Sequence, residues 1–280
     1  MAKKALTVGI NDYQGIRDLR GCINDVTNMR DILRNYLGFS NDEIRVLTDS
    51  RATKDGILTR LQWLIDNAKS GDFLVFHYSG HGSQIRDRNG DESLQDGLDE
   101  LICPYDFNWD GKYIIDDDLY KIFKSLPQGV LLEVFLDCCH SGTGLRDISF
   151  GRPDHLGPPN PTQSRYIPPP IDVASRHEGE EDQLKQVRLF ERGRSEPAKH
   201  ILWSGCRADQ KSADAYIDGA YNGAFTYYFC QHMRRSNGQL SRSEILSRVR
   251  ASLNHGGYSQ VPQLETEATV RAARALAALK

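Results

Sequence analysis

Residues 130–142 read VLLEVFLDCCHSG, an apolar run of strand length that ends in acidic, thiol, imidazole and hydroxyl side chains. Residues 74–84 read LVFHYSGHGSQ and repeat the arrangement, with His81 between two glycines after the run. A third run, KALTVGI at residues 4–10, ends in Asn11 and Asp12. Nearly continuous apolar runs bounded by polar residues are typical of strands buried on both faces of a parallel sheet. The sequence therefore predicts a sheet whose strands end in reactive side chains.

Helical patterns lie between these strands. Residues 22–38, CINDVTNMRDILRNYLG, carry apolar residues at helical spacing and stop at Gly38, and residues 53–68 repeat the pattern. After residue 199 come a fourth apolar run, HILWSGC, and two more helical patterns at residues 224–235 and 241–254. Strands that alternate with helices predict an α/β fold with a mostly parallel central sheet flanked by helices.

Composition and charge are those of a globular protein without a bulk electrostatic preference. The chain has 280 residues and a formal net charge of −3, which predicts neither a nucleic-acid partner nor an anionic membrane surface. The apolar stretch before Asn11 is too short for a signal-peptide core or a membrane span, so a cytoplasmic location is expected. The six cysteines show no CxxC spacing, which favours reduced thiols.

The chain divides into three parts by composition. Residues 150–198 hold most of the 11 prolines and few apolar residues in any period, which is typical of a linker. We expect residues 1–149 and 199–280, on either side of it, to pack as one domain. The linker is interpreted either as a solvated surface loop or as a segment that is cut during activation.

His81 and Cys139 are the residue types of a nucleophilic dyad. The carboxyl ends of neighbouring parallel strands face one crevice, so we expect the two side chains to lie close together. A neighbouring imidazole lowers the pKa of a thiol and later supplies a proton to the leaving amine. The backbone N–H groups of Gly82 and Cys139 are candidates for an oxyanion hole. Strand alternation sends one of Cys138 and Cys139 into the packing and the other toward the crevice, without saying which.

Together, HYSGHGS and DCCHSG resemble the motifs of caspase-like peptidases, specifically the metacaspases and their prokaryotic relatives, the orthocaspases. HILWSGCRADQKSADA and GAFTYYF resemble the small-subunit half of that family. The resemblance implies the caspase-like (caspase-hemoglobinase) fold, with a large-subunit-like part at residues 1–149 and a small-subunit-like part at residues 199–280. It also selects Cys139, directly before His-Ser-Gly, as the nucleophile and leaves Cys138 as a packing residue.

A substrate pocket for a basic residue follows from position and resemblance together. Asp137 lies two residues before the nucleophile, where a carboxylate can line the pocket for the residue preceding the scissile bond. Similarity to metacaspases adds Asp25, with Cys22 and Ser79 beside it, and implies cleavage after arginine or lysine. Two acids bind a guanidinium through charge-assisted hydrogen bonds. Without the resemblance, Asp25 is equally well explained as an acid at a helix start.

The small-subunit half and the linker hold further candidates. The family places Trp203 and Ser204 on a strand that lines the substrate cleft, although ordinary core and turn roles fit them equally well. A peptidase that prefers basic residues would process itself, as a zymogen, at basic residues of its own linker. The linker candidates are Lys185, Arg188, Arg192 and Arg194.

Many metacaspases bind calcium, and the resemblance implies ligands at Asp99, Asp116 and Asp117. The acidic segments around them lack the full EF-hand spacing, and clustered acids are more often solvated surface. A fourth family acid falls at Arg146 in this chain, with Asp147 one place later.

The sequence thus predicts a monomeric cysteine endopeptidase acting on protein or peptide substrates with Arg or Lys before the cut. The alternative is a catalytically silent caspase-like scaffold or regulator, against which the presence of both His81 and Cys139 argues. A flavodoxin-like binding domain is disfavoured because no glycine-rich phosphate loop follows the first strand. A zinc site from His77, His81, Cys138 and Cys139 is disfavoured because structural zinc prefers paired ligands at turn spacing.

Overall fold

The structure is a computed structural model that describes residues 1–86, 98–139, 162–174, 200–266 and 273. The strands of this part are β1 (Lys3–Gly9), β2 (Ile44–Thr48), β3 (Phe73–Ser79), β4 (Gly82–Arg86), β5 (Leu98–Ile102), β6 (Ile114–Ile115), β7 (Leu131–Asp137), β8 (Gln163–Ser164), β9 (His200–Ser204), β10 (Ala213–Ile217), β11 (Ala220–Gly223) and β12 (Gln263–Glu265). The helices are α1 (Cys22–Leu37), α2 (Lys54–Ile65), α3 (Asp116–Lys124), α4 (Ile171–Ala174), α5 (Ala224–Arg235) and α6 (Arg242–His255).

The central sheet of the described chain has the strand order β2-β1-β3-β7-β9-β12. The first five strands run parallel, and β12 pairs antiparallel with β9. The register aligns Gly9 with Ser79 and Ser79 with Asp137, so three strands end side by side. The mostly parallel sheet flanked by helices confirms the fold class predicted from the apolar runs.

The two faces of the sheet carry separate apolar clusters. Leu132, Val134 and Leu136 pack on the side of α2 and α3, while Phe135 packs on the side of α1, α5 and α6. Burial of one such side chain contributes about 1.5–3 kcal/mol, and burial of both faces explains why the strands read as continuous apolar runs. By alternation, the polar residue Asp137 at the end of β7 shares the face of Phe135. The α1/α5 side of the carboxyl edge therefore receives its carboxylate.

Two smaller sheets of the described chain lie outside the central one. One has the order β4-β5-β6, and in the other β10 pairs antiparallel with both β11 and β8. Strand β8 belongs to the Pro-rich segment, whose interpretation as a solvated loop is wrong for residues 163–167, whereas 168 and 170–172 are exposed. Residues 163–167 pack into the fold, where Tyr166 and Ile167 are buried.

None of the helices in the described ranges is both long and apolar enough to cross a bilayer.

Candidate active site

His81 lies two residues after β3, where hydrogen bonds hold its backbone and one nitrogen of its ring. Tyr13 Oη accepts the His81 backbone N–H at 2.8 Å, and Tyr78 Oη donates to the His81 carbonyl at 2.7 Å. The ring Nε2 lies 2.9 Å from the backbone carbonyl oxygen of Arg17. Because a carbonyl only accepts, this hydrogen bond assigns the proton to Nε2. The buried Nδ1 has no hydrogen-bond partner among the described residues and is left with its lone pair.

The environment of His81 keeps the imidazole neutral. Burial lowers the pKa of His81 to about 3, and the positive charges of Arg17 and Arg165 act in the same direction. Hydrogen bonds with the backbones of these two arginines only partly oppose the shift. At neutral pH the ring is therefore a base and not an acid.

The adjacent cysteines are separated by alternation. Cys138 packs into the apolar cluster on the α2/α3 side of the sheet, where burial raises the pKa of its thiol well above the usual range. Cys139 instead lies against Tyr166 and Cys206 in a separate small cluster. The structure therefore places the thiol of Cys139, and not that of Cys138, at the site.

The thiol of Cys139 lies in a hydrogen-bonded setting. Its Sγ accepts the backbone N–H of Ser212 at 2.6 Å. Burial by itself raises the pKa of the Cys139 thiol, but hydrogen bonds from Cys206 and from the backbones of Ser212 and Arg165 outweigh it. Together with the charge of Arg165, they hold this pKa below its usual value. These contacts favour the thiolate, which is the nucleophilic form of a cysteine.

The pocket beside the thiol is filled by Arg165, a fully buried residue of the Pro-rich segment. Its Nη2 donates to Asp25 Oδ2 at 2.8 Å and to Asp214 Oδ1 at 3.0 Å. Its Nη1 donates to Ser79 Oγ and to the Asp137 carbonyl oxygen, both at 2.9 Å, and lies 3.3 Å from Asp137 Oδ1. One guanidinium therefore contacts three carboxylates, and we call Asp25, Ser79, Asp137 and Asp214 the acidic pocket.

The predicted pocket residues are brought together by the ends of three elements. Cys22 and Asp25 lie in the first turn of α1, while Ser79 and Asp137 end the neighbouring strands β3 and β7. Ser79 Oγ donates to Asp25 Oδ2 at 2.7 Å. A Cβ at Gly223 would collide with Asp25, Asp137 and Arg165, so the pocket needs glycine there.

The acidic pocket has three carboxylates around one guanidinium, so its acids are in excess over its cation. Burial raises the pKa of Asp25 to about 7, opposed by the charge of Arg165 and reinforced by that of Asp137. Asp25 therefore exchanges a proton near neutrality. A buried pocket with this surplus of acids favours a cation and disfavours a carboxylate ligand.

The backbone around Arg165 crosses the site as an extended strand. Its N–H donates to the Ser212 carbonyl at 3.1 Å, and its own carbonyl accepts the Gly82 N–H at 2.9 Å. Beyond it, the Ile167 N–H donates to the Gly82 carbonyl at 3.0 Å. The peptide bond between Arg165 and Tyr166 is therefore held from both sides, with its carbonyl oxygen on a backbone donor.

Of the two candidate oxyanion donors, only the Gly82 N–H is seen to donate to the Arg165 carbonyl oxygen in the described part of the chain. A Cβ at Gly82 would overlap the Cys139 carbonyl, so only glycine allows the close approach of the two backbones. Among the described contacts, the Cys139 N–H makes no hydrogen bond to the Arg165 carbonyl.

Trp203 and Ser204 are not brought to the pocket. Trp203 is fully buried in the core, stacked on Phe135 at 5.6 Å, with its Nε1 donating to Glu133 Oε2 at 2.9 Å. Ser204 ends β9 and pairs with Gln263. The structure therefore corrects the assignment of Trp203 to the cleft, because its ring packs against Phe135 and Phe229 in the core, two residues before the level of Asp137.

The predicted calcium ligands lie away from the acidic pocket. Asp99 lies on β5, Asp116 and Asp117 begin α3, and all three are buried. Lys121 lies 3.4 Å from Asp117. No group of three or more His, Cys, Asp or Glu side chains in the described ranges is placed to hold a metal ion, so these residues alone do not fit one. Asp147 falls outside the described residues.

The predicted processing residues also fall outside the part of the chain that the structure describes. These residues are Lys185, Arg188, Arg192 and Arg194.

A mostly parallel α/β sheet with a thiol, an imidazole and an oxyanion donor at its carboxyl edge defines the class of caspase-like cysteine peptidases. The family model described as metacaspase, peptidase C14 domain, matches residues 3–148. Metacaspase-1 of Pyricularia oryzae is 36% identical over 94% of this chain and 71% of its own. Metacaspase-1A of Aspergillus niger is 36% identical over 94% of this chain and 69% of its own. The chain belongs to the metacaspase family and is a cysteine-type peptidase, which acts on protein substrates.

Solved structures show the same fold. A crystal structure of a Geobacter sulfurreducens protein matches with a TM-score of 0.71 at 24% identity, covering all of both chains. Caspase-1 from Spodoptera frugiperda matches with a TM-score of 0.54 at 13% identity, over 94% of this chain and 86% of its own. The caspase-like fold that the motifs implied is thereby confirmed.

Proposed function

We propose that this metacaspase is an endopeptidase that cleaves after arginine or lysine, with Cys139 as nucleophile and His81 as general base. The observation that carries the proposal is the position of Arg165. Its side chain fills a pocket of three carboxylates, and the peptide bond that follows it lies beside the Cys139 thiol with its oxygen on the Gly82 N–H.

The proposed reaction requires His81 Nδ1, which has no hydrogen-bond partner among the described residues, to meet the Cys139 thiol, which contacts the backbone of Ser212. His81 Nδ1 takes the thiol proton, and the Cys139 sulfur attacks the carbonyl carbon, so that a C–S bond forms and the oxygen becomes negative. The Gly82 N–H stabilises that charge. His81 then gives the proton to the leaving amine as the C–N bond breaks. Water, activated by the same imidazole, hydrolyses the thioester and restores the thiol.

The contacts to Arg165 support a preference for arginine over lysine. The planar guanidinium presents two nitrogens on separate sides of the pocket, Nη2 toward Asp25 and Asp214, and Nη1 toward Ser79 and Asp137. An ammonium is a single point of charge and reaches fewer of these groups. An aspartate would bring a fourth carboxylate into the same buried space, so the pocket disfavours aspartate before the cut.

Self-processing forms part of the proposal, with the bond between Arg165 and Tyr166 as its site. The segment is bound in the manner proposed for a substrate, and while it stays there no other chain can enter the acidic pocket. The protein is thus a zymogen whose own linker is both its inhibitor and its first substrate. Cleavage at the linker residues beyond 174 would be a later event.

Calcium stimulation and a monomeric state are further parts of the proposal. For calcium the support is the sequence resemblance and the burial of Asp99, Asp116 and Asp117 at the starts of β5 and α3. Titration calorimetry of calcium into the Cys139→Ala chain, with Asp117→Asn as the comparison, tests it. Equal heats for the two chains would remove these acids from the proposal.

The test of the function is hydrolysis of paired fluorogenic peptides that differ only in Arg or Asp before the cut. We expect cleavage after Arg alone by the wild type, none by Cys139→Ala, and a loss of at least about a thousandfold in His81→Ala. Adding calcium or a chelator to each reaction tests the stimulation separately. Cleavage after Asp would refute the pocket, and no cleavage of either peptide by the wild type or by the unblocked Arg165→Ala chain would favour a catalytically silent scaffold.

A further inference from the structure

We propose that Arg17 is a substrate-binding residue that bridges the peptide carbonyls on both sides of the scissile bond. The inference rests on the proposed function, since it takes the segment around Arg165 as bound like a substrate. Arg17 lies in the connection between β1 and α1, and its side chain is largely exposed. Its Nη2 donates to the Ser164 carbonyl at 2.8 Å and to the Tyr166 carbonyl at 2.7 Å.

The two carbonyls identify what Arg17 recognises. Ser164 and Tyr166 directly precede and follow Arg165, so one nitrogen joins the peptide on the two sides of the bond to be cut. Both contacts are made to backbone atoms, so they do not depend on the side chains of the substrate. The ligand is therefore any extended polypeptide that continues past the scissile bond, which is the substrate of an endopeptidase.

The charge of Arg17 is available for these contacts. Within the described residues, no carboxylate lies within ion-pair distance of its guanidinium. Hydrogen bonds from a charged donor are stronger than those between neutral groups, although the exposure of this side chain weakens them. The contacts thus favour the bound peptide without locking it in place.

Arg17 also joins the substrate to the general base. Its backbone carbonyl accepts the His81 Nε2 proton at 2.9 Å, while its side chain holds the peptide. The imidazole and the scissile bond are therefore positioned by one residue. A substitution at residue 17 removes the side-chain contacts and retains the backbone carbonyl, so the two roles can be separated.

Two substrates with the same residues up to and including Arg distinguish this role from a structural one. One is a peptidyl-arginyl aminocoumarin, which has no peptide carbonyl after the cut, and the other is an internally quenched peptide that continues for four residues. Arg17→Gln loses one hydrogen bond with the first and two with the second. Both rates are measured in the Arg165→Ala background, where the chain's own segment no longer fills the pocket, and there we expect kcat/KM to fall roughly fivefold on the short substrate and roughly 25-fold on the long one.

Matched variants complete the test. Arg17→Lys should recover part of the loss on the long peptide, because an ammonium still donates to a carbonyl. Arg45→Gln removes the same charge from an exposed arginine that lies over Trp63, and should leave both rates unchanged. Equal losses on the two substrates in Arg17→Gln would overturn the bridging role while leaving the peptidase intact. Failure of the Arg165→Ala chain, whose pocket is open, to cleave either substrate would instead refute the proposed function.

Discussion

The Gly82 N–H lies 2.9 Å from the carbonyl oxygen of Arg165, a residue 83 positions later in the chain (165 − 82). The donor proposed to stabilise a substrate's oxyanion is thus already bonded to one of the protein's own peptide groups. Since the side chain of Arg165 also fills the acidic pocket, the described conformation leaves no room there for the side chain of another substrate.

Removing the side chain of Arg165 should release the block. In Arg165→Ala the segment loses its ion pairs with Asp25, Asp137 and Asp214, so we expect initial rates on a small Arg substrate to rise by about tenfold or more. Initial rates measured before any chain cleavage report this directly.

Arg165→Lys is the matched control, because a lysine still enters the pocket and should stay largely inhibitory. Thermal melting of each variant establishes that it is folded, since three buried acids without a cation cost stability. An Arg165→Ala chain that is folded and no faster than the wild type would show that the segment does not limit access.

Asp214 is expected to set the strength of arginine binding. Its Oδ1 contacts Arg165 Nη2 at 3.0 Å, and it also accepts the backbone N–H groups of Arg20 and Gly21. Asp214→Asn retains an acceptor oxygen but loses the charge, so we expect KM for Arg substrates to rise by about tenfold with a smaller change in kcat.

The control for this variant is Asp209→Asn, which removes an exposed acid from the connection between β9 and β10. It should leave KM unchanged. A similar increase in KM in both variants would indicate a general electrostatic effect and would remove Asp214 from the acidic pocket's function.

The stability of the protein should depend on pH through His81 and Asp25 with opposite signs. The pKa of His81 is lowered to about 3 in the folded chain. Below about pH 6.5 the unfolded chain binds a proton at this histidine and the folded chain does not, so the free energy of unfolding decreases as the pH falls. His81→Gln removes this penalty, so its free energy of unfolding should exceed that of the wild type by about 3 kcal/mol near pH 4.

The pKa of Asp25 is raised to about 7, so its ionisation costs stability as the pH rises toward 7. Asp25→Asn should therefore be more stable than the wild type only near pH 7 and above.

Melting temperatures between pH 4 and pH 8 measure both trends. The exposed His255 provides the control, since His255→Gln should follow the wild type throughout. Difference curves for His81→Gln that are flat between pH 4 and pH 7 would show that the imidazole is not held neutral by burial.

Much of the fold could be predicted because its strands are local apolar runs. β1, β3, β7 and β9 follow from such runs, and α1, α2, α5 and α6 follow from helical spacing, within one to three residues at their ends. The strands β4 to β6 could not be predicted, since β6 has only two residues and the five-residue strands β4 (GSQIR) and β5 (LDELI) are not apolar runs. YIIDDDLYK was interpreted as an acidic cluster, whereas its apolar residues form β6 and one face of α3.

The candidate site was predictable only where chemistry is concentrated in motifs. His81 stands in the motif that follows β3, Asp137 and Cys139 stand in the motif at the end of β7, and the register places these two strand ends side by side. Arg165 and Asp214 could not be predicted, because what makes them part of the site is contact with residues far away in the sequence. Arg165 meets Asp25, which is 140 positions away, and no local pattern reports such a pair. The apolar pair Tyr166 and Ile167 directly after a basic residue does not single out Arg165 either, since Leu189 and Phe190 follow Arg188 in the same way.

The most direct test of the account is the identity of the peptide bond that the protein cuts in itself. Mass spectrometry of the intact chain and its fragments, after incubation with calcium, compares the wild type with Cys139→Ala and Arg165→Ala. The account predicts a new N-terminus at Tyr166 in the wild type and none there in either variant. A wild-type chain that is active on Arg peptides but never cut after Arg165, or a cut at this bond in Cys139→Ala, would contradict it.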